Sequence, residues 1–399
     1  MKKETTSKNI LIVHNYYKIP GGEDTVVENE KKLLESHGHR VILYQRKNAE
    51  MDGFSKVQKL LLPVITVFNP RTYREIKEII KKEQIHVVHV HNTLNLVSPS
   101  VYYAASSCKV PVVQTIHNFR MLCPAATLYR NGQICEECIE KGLSCAVKHR
   151  CYRDSKLQTL ACVITTKIHR FTGIYKKINY ICLADFNREK LLELNVCENK
   201  ELIKPEKVFV KPNLTFRQVQ KMDVRTGDYY LFAGRVEQIK GMELLLEAFA
   251  TLPKEQLWVA GTGTQLEYYK EEAAKRGLDN VKFLGFVKKE QLQEMMAGAK
   301  ALIVPSQWYE TFGMTVVEAF SLGTPVIGGD IGNISSLIKE GVNGWKFQYD
   351  SAEALAEKIL QCGRTSRDTM QIACDETIFP EENYKILNQI YETVMKEKS

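Results

Sequence analysis

Short apolar runs alternate with amphipathic stretches along the whole chain, and this alternation restricts the fold more than any other feature. In the first half the runs have strand length, and helical patterns over residues 26 to 36 and 98 to 107 separate them. Strand, helix and strand repeated in this order indicate a parallel sheet with helices on both faces. The predicted strands of this half are NILIV, RVILY, HVVHVH, VPVVQTIH, NYICLAD and KVFVKPNL.

A second alternation of the same kind occupies the other half. Its predicted strands are YYLFAGRV, QLWVAGTG, VKFLGFV, AKALIVPS and TPVIGGD, with helices over residues 242 to 252, 267 to 276 and 290 to 297. The polar, irregular residues 216 to 228 are expected to form the linker between two doubly wound units. The last helix carries Tyr384, Leu387, Tyr391 and Val394 on one face, so it should pack on the protein.

The sequence therefore predicts an α/β protein of two Rossmann-like, doubly wound domains facing across a cleft. A chain of 399 residues with 44% hydrophobic residues can fill two cores of ordinary size. We expect an N-terminal domain at residues 1 to 206 with a cysteine-rich insertion at about 120 to 155. The second domain is expected at residues 207 to 378, followed by a helix at 379 to 399 that returns to the first domain. Ligands of such sheets bind at the carboxyl ends of the strands.

Composition predicts a soluble, cytoplasmic protein. The apolar run near the start, residues 10 to 13, is too short for a secretory signal, and no run reaches the roughly 20 apolar residues of a membrane span. The eleven cysteines are then expected as thiols or metal ligands rather than disulfides.

The net charge of +8 is uneven, because residues 141 to 177 are rich in Lys and Arg. Within them, TLACVITTKIHRFTGIYKKI interleaves basic and apolar residues, which is typical of a helix lying at a membrane surface. A merely solvated basic helix face is the alternative. No nucleic-acid-binding motif is present, so a nucleic acid is not expected as a partner.

Two glycine-containing loops follow predicted strands. Gly21 and Gly22, in PGGED, would let a backbone approach a phosphate or sugar closely, although a simple turn explains them equally well. In GRVEQIKG, Arg235 and Lys240 flank a strand-to-helix loop and could hold a diphosphate; two surface cations are the alternative. VAGTGT lacks the third glycine of a dinucleotide fingerprint, which disfavours an NAD site.

The stretch QWYETFGMTVVEAF places Glu310 and Glu318 eight residues apart. Glycosidase carboxyl pairs are roughly 5 to 9.5 Å apart, whereas eight residues of a continuous helix advance about 12 Å and turn to another face. A catalytic carboxylate pair is therefore disfavoured. No Asp-x-Asp occurs to hold a divalent ion, so positive charge for a diphosphate must come from side chains and helix ends.

Together these motifs resemble the retaining glycosyltransferases of family 4, which have the GT-B fold. The resemblance covers nearly the whole chain. Its most specific parts are GRVEQIKG, the block VPSQWYETFGMTVVEAFSLGTPVI with its two spaced glutamates, and EGVNGW; PGGED and TIHNF support them.

The resemblance implies a role for each of these residues. Arg235 and Lys240 would neutralise the donor diphosphate, Glu310 would reach the transferred sugar and Glu318 the ribose. His117, at the end of VVQTIH, would contact the donor sugar; without the resemblance it could equally be a buried structural histidine. The remaining donor-binding residues would be Gly21, Gly22 and the backbone of Phe312, Gly313, Met314 and Thr315.

The implied reaction moves a sugar from a UDP- or GDP-sugar to a glycan or polyprenyl-diphosphate-linked acceptor, with retention and without a metal cofactor. Front-face displacement would let the leaving diphosphate help deprotonate the acceptor hydroxyl. The expected setting is bacterial surface-polysaccharide assembly, in the cytoplasm or peripherally at the inner membrane face. The alternatives are a non-catalytic sugar-nucleotide-binding protein and a nucleotide-dependent oxidoreductase.

The segment between residues 120 and 155 adds cysteines to the common family pattern. A CxxC at Cys135 and Cys138, with Cys123 and Cys151, could supply four ligands to a structural zinc ion, leaving Cys145 as a spare. Buried thiols without a metal are the alternative. Similar insertions occur in family members linked to surface-polysaccharide assembly.

Overall fold

A computed structural model of the chain describes residues 7–18, 21–216, 227–372 and 375–397. Its strands are β1 (Asn9–Tyr16), β2 (Arg40–Lys47), β3 (Val87–Val90), β4 (Val112–Ile116), β5 (Tyr129–Arg130), β6 (Gln133–Ile134), β7 (Asn179–Cys182), β8 (Val208–Val210), β9 (Tyr230–Ala233), β10 (Leu257–Ala260), β11 (Val281–Gly285), β12 (Leu302–Val304), β13 (Val326–Gly329) and β14 (Gly344–Phe347).

The helices lie between these strands and after the last one. They are α1 (Gly22–Ser36), α2 (Lys56–Val67), α3 (Pro70–Lys82), α4 (Ser100–Ser107), α5 (Glu137–Glu140), α6 (Ser144–Lys148), α7 (Lys156–Phe171), α8 (Asp185–Cys197), α9 (Met242–Ala250), α10 (Leu266–Lys275), α11 (Lys289–Gly298), α12 (Met314–Ser321), α13 (Gly332–Leu337), α14 (Ala352–Gly363) and α15 (Pro380–Lys396).

Two six-stranded parallel sheets confirm the predicted fold class. The first has the strand order β2-β1-β3-β4-β7-β8, and the second has the order β11-β10-β9-β12-β13-β14. The central strands are buried because helices cover both faces of a parallel sheet; residues 10 to 13 of β1, for example, are apolar and 0% exposed. β5 and β6 form a separate antiparallel hairpin.

The chain divides into two compact units whose limits differ from the sequence prediction. The first unit contains residues 1–128, 136–216 and 376–399, and the second contains 129–135 and 217–375. A boundary after residue 206 is too early, because β8 pairs in parallel with β7 and so completes the first sheet. The hairpin β5–β6, inside the predicted insertion, groups with the second unit. Residues 217–226 of the predicted linker lie outside the described residues.

The C-terminal helix α15 packs on the sheet of the first unit, as the fold class implied. It begins at Pro380, a residue suited to the first helical turn. The helix face predicted from the sequence is buried, and Ile390 is buried with it. This face packs in one core cluster with Ile10 and Ile12 of β1 and with Leu33 and Leu34 of α1. The first unit therefore closes its core with the last segment of the chain.

We expect Leu387→Ala to destabilise the first unit by about 2–5 kcal/mol, because the fully buried leucine would leave a cavity. The matched control is Leu360→Ala on α14, where the side chain is 40% exposed and the cost should stay below about 1.5 kcal/mol. Urea unfolding of both variants measures the difference. Equal losses in the two variants would contradict the assigned packing of α15.

Candidate active site

The second sheet has a topological switch point between β9 and β12. Its order corresponds to the 3-2-1-4-5-6 arrangement of dinucleotide-binding folds, in which ligands occupy the crevice where the strand order reverses. The loop after β9 carries Arg235 and Lys240, and the loop after β12 carries Glu310. The topology thus brings three predicted site residues to one edge of one sheet.

The loop after β9 approaches the end of β12 closely. Gly241 has φ +77°, and a Cβ at this position would lie 1.9 Å from the carbonyl oxygen of Pro305. The Gln307 amide also donates to the Ile239 carbonyl at 3.0 Å. Only glycine allows this approach, so the two loops are fixed against each other.

Lys240 and Glu310 form an ion pair where these loops meet. Lys240 Nζ lies 2.5 Å from Glu310 Oε1, and the side chains are 20% and 14% exposed. The same oxygen accepts hydrogen bonds from Ser306 Oγ at 2.7 Å and Trp308 Nε1 at 2.9 Å. Lys240 Nζ also lies 5.3 Å from the centroid of the Trp308 ring. The ammonium group is therefore held in a defined position.

Two opposing effects act on the pKa of Glu310. Burial raises it, but the charge of Lys240 and the hydrogen bonds from Lys240, Ser306 and Trp308 outweigh burial and lower the pKa below its ordinary value. Glu310 is thus ionised at neutral pH, and the site carries a compensated pair of charges.

Helix α12 starts immediately after the Glu310 loop. Gly313 caps it with φ +88°, and a Cβ there would come within 2.8 Å of Ile334 Cδ1. The Phe312 side chain is buried, and its carbonyl accepts a hydrogen bond from Asn333 Nδ2 at 2.6 Å. Only the backbone of Phe312 is therefore available to a ligand. First-turn amides have no acceptor inside their own helix. The N-terminus of α12, with Met314 and Thr315, can therefore meet an anion.

Glu318 and Arg235 lie in different surroundings. Glu318 lies inside α12 and is half-buried, whereas Glu310 lies in the preceding loop. The Arg235 side chain is 64% exposed, and its Nη1 lies 3.4 Å from Glu237 Oε1. The guanidinium group of Arg235 is thus within reach of a ligand from solvent.

In the first unit, the end of β1 is tied to the start of α1. His14 Nε2 lies 2.8 Å from Asp24 Oδ1, and Asp24 Oδ2 accepts a hydrogen bond from the Gly21 amide at 2.9 Å. Gly22 begins the helix. The Asp24 carboxylate thus accepts the Gly21 amide at the helix N-terminus where the sequence predicted a phosphate or a sugar.

His117 belongs to a stack of histidines in the same unit. Its Nε2 lies 2.9 Å from His91 Nδ1, and the rings of His91 and His89 stack at 4.4 Å. His89 in turn hydrogen-bonds the Tyr391 hydroxyl and Thr115 Oγ1, both at 2.7 Å. The stack therefore links His117 to the C-terminal helix.

Burial keeps His14, His89 and His117 neutral. Loss of solvation lowers the pKa of His89 to about 3 and that of His14 to about 4, and it lowers the pKa of His117 well below its ordinary value. His117 can thus exchange hydrogen bonds with a polar ligand without carrying charge.

Glu30, His89 and His91 form the only group among the described residues in which three or more potential metal ligands lie within 4.8 Å. Lys211 Nζ already compensates Glu30, at 2.8 Å from Oε1, and both ring nitrogens of His89 have hydrogen-bond partners. A second cation beside a buried lysine is unfavourable. This cluster is a charge network rather than a metal site.

The cysteines predicted as zinc ligands are not assembled into one ligand set. Cys123 is buried in a turn, and Cys135 follows the hairpin strand β6. Cys138 forms an apolar cluster with Leu143, Ala146 and Val163, and Cys145 and Cys151 pack against it. Cys138 is buried and Cys145 and Cys151 are half-buried beside it, so these three cysteines of the first unit pack with aliphatic side chains. The structural zinc ion stays a prediction.

Sequence reasoning missed several residues that position the predicted ones. Ser306 and Trp308 hold Glu310, and His91 holds His117. The spacing in HVVHVH could have revealed the histidine stack, because residues two apart on a strand share one face. No local signal marks Ser306 or Trp308, since their partner depends on the loop conformation.

We expect the free energy of unfolding to fall as the pH drops from 7 to 5. An unfolded histidine binds a proton near pH 6.5, whereas folded His14, His39 and His89 do so only at about pH 3–4. Each therefore contributes about 1.4 kcal/mol of destabilisation per pH unit below 6.5. Burial raises the pKa of Glu23 to about 8, which opposes this loss but involves only one proton. Urea unfolding at both pH values tests the sign, and greater stability at pH 5 would contradict it.

We expect Lys240→Met to cost about 2 kcal/mol, because Glu310 would remain in its pocket without its cation. The pKa of Glu310 should rise at the same time. Lys240→Met/Glu310→Gln should recover part of the loss, since it removes both charges. Urea unfolding of the two variants, with Lys270→Met on α10 as an exposed control, tests the coupling; independent, additive effects would contradict it.

Comparison with known proteins agrees with this geometry. Residues 217–369 match the family model Glycosyl transferases group 1, and residues 20–133 match the model Glycosyltransferase Family 4. Alpha-monoglucosyldiacylglycerol synthase of Streptococcus pneumoniae is 24% identical over 372 residues, which cover 88% of this chain and 78% of that protein. An uncharacterized 42.6 kDa protein in the cps region of Klebsiella pneumoniae is 24% identical over 82% of this chain and 87% of its own.

A solved structure supports the same fold. The crystal structure of Anabaena Alr3699/HepE in complex with UDP superimposes with a TM-score of 0.59 at 17% identity, over 98% of both chains. The two family models together span well over half of the present chain. The chain therefore belongs to the family 4, group 1 glycosyltransferases and has their GT-B fold.

Proposed function

We propose that this glycosyltransferase moves a sugar from a UDP- or GDP-sugar to a hydroxyl of a glycan or polyprenyl-diphosphate-linked glycan. The transfer retains the anomeric configuration and needs no divalent metal ion. The observation that carries the proposal is the Lys240–Glu310 pair beside the N-terminus of α12 at the switch point of the second sheet. This arrangement suits a nucleotide diphosphate.

The donor diphosphate lies, in this proposal, between the Lys240 ammonium, the Arg235 guanidinium and the amides at the start of α12. Charge-assisted hydrogen bonds of this kind are among the strongest in proteins. Arg235 is exposed enough to swing onto the phosphates, while Lys240 is held in place. The UDP named in the HepE structure supports a nucleotide donor.

The same groups stabilise the leaving diphosphate during the reaction. The bond between the anomeric carbon and the phosphate oxygen breaks, and its electron pair stays on the diphosphate. The acceptor oxygen bonds to the same face of the sugar, and its proton passes to the departing phosphate oxygen. Electrostatic stabilisation of a developing charge is often the largest catalytic contribution.

Glu310 fits a positioning role better than that of a nucleophile. All three hydrogen bonds described for its side chain go to Oε1, from Lys240, Ser306 and Trp308. Oε2 is then the oxygen that meets a sugar hydroxyl. The lowered pKa of Glu310 excludes it as a general acid at neutral pH. Retention by a glycosidase-type carboxylate pair is therefore disfavoured.

His117 and Glu318 contribute to the sugar and ribose ends of the donor. Burial keeps the His117 imidazole neutral, so it can hydrogen-bond a sugar hydroxyl without attracting the diphosphate. The Glu318 carboxylate, within α12, accepts hydrogen bonds from the ribose hydroxyls. Metal independence is supported by the cations already present and by the absence of Asp-x-Asp from the sequence.

The acceptor and its setting form the second part of the proposal. We place the reaction in surface-polysaccharide assembly, at the inner face of the cytoplasmic membrane. The names of the relatives support this, since one is a diacylglycerol-lipid synthase and another lies in a cps region. Among the described residues, no helix combines the length and apolarity required to cross a membrane.

We expect Arg235→Ala to lower kcat about 10²–10³-fold, because it removes a cation from the leaving group. Glu318→Ala should instead weaken donor binding about 10- to 100-fold through loss of a charged hydrogen-bond acceptor. Donor titration calorimetry and the rate of donor turnover separate the two effects. Arg276→Ala at the end of α10, where the arginine pairs with Glu243 on the surface, is the control. Unchanged affinity and rate in both site variants would overturn the assignment.

A panel of nucleotide sugars with lipid-linked and free glycan acceptors tests the proposal as a whole. The anomeric configuration of the product is read by NMR, and inversion would refute the mechanism. Activity should persist after chelation, with the metal content measured before and after treatment. Donor binding without any product across the panel would favour a non-catalytic sugar-nucleotide-binding protein.

A further inference from the structure

Helix α2 of the first unit exposes most of its apolar side chains. Val57, Leu60, Leu61 and Val64 are 65%, 80%, 47% and 64% exposed. At 100° per residue they fall within about 100° of one helical face. Thr66 is the buried residue of this helix. A short helix whose apolar face meets water is unusual in a soluble protein, where such faces normally pack on the core.

Helix α7 has a second exposed apolar stripe. Its members recur at intervals of three and four residues and fall within about 80° of one face: Leu157, Leu160, Ile164, Ile168 and Phe171. The exposure of Phe171 reaches 88%. The opposite face, with Cys162 and Val163, is buried in the unit. The other buried residues of this helix are polar, so most of the large apolar side chains of α7 lie on its exposed face.

The two helices pack against each other, and His169 of α7 hydrogen-bonds the Val67 carbonyl of α2 at 3.0 Å, so both exposed stripes belong to one region of the unit. We call the combined surface the α2–α7 face; it comprises the nine exposed residues named for the two helices. Contiguous apolar surface of this kind marks an interaction site rather than scattered exposure. Its composition indicates what covers it.

The charged residues within the two helices are all basic. Neither helix contains Asp or Glu, and both have exposed lysines. On helical geometry, Lys56, Lys156 and Lys167 lie within about 40° of the edges of the apolar stripes. Apolar side chains bordered by lysines match a lipid surface, where acyl chains lie beneath anionic head groups. A protein partner would require no such lack of acidic residues.

We propose that the α2–α7 face docks the protein on an anionic lipid bilayer, with both helices lying in the plane of the interface. At 12 and 16 residues, neither helix is long enough to span the bilayer. The proposal deepens the membrane setting proposed above and rests on it. It names the lipid partner and the residues that contact it.

Docking through α7 also has a consequence for the acceptor. The inner face of α7, at Cys162, Thr165 and Thr166, lines a cavity of about 100 Å³ that His117 and Arg120 border as well. The helix that contacts the lipid is therefore also a wall of the cavity beside His117. A lipid-linked acceptor lying in the bilayer would meet this cavity with its polar end.

Vesicle flotation of the full chain tests the proposal. The protein should bind vesicles of phosphatidylcholine with phosphatidylglycerol, and bind pure phosphatidylcholine much more weakly. Leu60→Ser/Leu157→Ser/Phe171→Ser should lower the partition coefficient at least about tenfold, because three exposed apolar anchors are removed. The matched control is Val196→Ser/Tyr268→Ser/Leu360→Ser, which alters three exposed apolar residues elsewhere and should bind like the unaltered protein.

A charge variant separates the two components of binding. Lys56→Gln/Lys156→Gln/Lys167→Gln should remove most of the preference for anionic vesicles and leave the weak binding to phosphatidylcholine. Thermal unfolding shows whether the variants fold, and since the altered side chains are exposed we expect little change. Phe171→Trp gives a direct measurement, because tryptophan emission should shift to the blue and be quenched by brominated lipids on binding.

Several results would overturn the proposal. One is failure of the unaltered protein to bind anionic vesicles; another is undiminished binding by the serine variant. A dimer that the serine variant converts to a monomer would assign the face to a second copy of the chain. Donor turnover with a water-soluble acceptor is measured in parallel. If the unaltered protein shows no donor turnover, the proposed function is rejected, but a positive vesicle-binding result remains valid.

Discussion

The buried carboxylate of Glu30 imposes the strongest constraint on the first unit. It occupies a core-facing position of α1 between Val27 and Leu33, with 1% exposure. Burial alone would raise the pKa of Glu30, but the Lys211 charge and the neighbouring histidines outweigh it and hold the pKa well below its ordinary value. Removing either charge would strand the other in the core, which is far more costly than keeping the pair.

The residues that compensate the negative charge of Glu30 come from distant parts of the chain. Lys211 follows β8, and its Nζ donates to Asn383 Oδ1 of α15 at 3.0 Å. His89 of β3 lies beside the same carboxylate and bonds Tyr391 of α15. The ion pair therefore requires the last strand and the last helix of the unit to be in place. This explains why β8 belongs with the first sheet, although it is distant from β1 in sequence.

Each sheet has a switch point that collects polar residues at the carboxyl ends of its strands. In the first sheet it lies between β1 and β3, where His14 and His91 meet edge to face with ring centroids 6.2 Å apart. In the second it lies between β9 and β12, where Lys240 meets Glu310. The two sites differ in charge balance: the first holds His14 and His89, which burial keeps neutral, near one compensated carboxylate, and the second holds cations and amides suited to an anion.

Much of this could be predicted from the sequence, because the relevant signals are local. Apolar runs of strand length predicted all six strands of the first sheet and five of the second, without β14. The helical spacing of Tyr384, Leu387 and Tyr391 predicted the buried face of α15. The boundary after residue 206 lies too early, because it separates KVFVKPNL from the first half to which the strand pattern assigned it, and β8 pairs with β7 of the first sheet.

The remaining features depend on contacts between segments that are distant in sequence. Cysteine spacing left a structural zinc ion and buried thiols as alternatives, whereas the packing of Cys138 with Ala146 of α6 and Val163 of α7 depends on the fold. The pairing of Lys240 with Glu310 spans 70 residues, and it depends on the close approach of Gly241 to Pro305. Sequence reasoning assigned these two residues to different parts of the donor.

The geometry couples the residues assigned to the two parts of the donor. Glu310 fixes the cation proposed for the diphosphate through Oε1, and its other oxygen remains on the side proposed for the sugar. The Glu310 carboxylate would then fix the position of the transferred sugar relative to the phosphate to which that sugar is bonded. The spacing of Glu310 and Glu318 therefore matters less than the loop contact that brings Lys240 to Glu310, because that contact joins the leaving group and the transferred sugar in one rigid network.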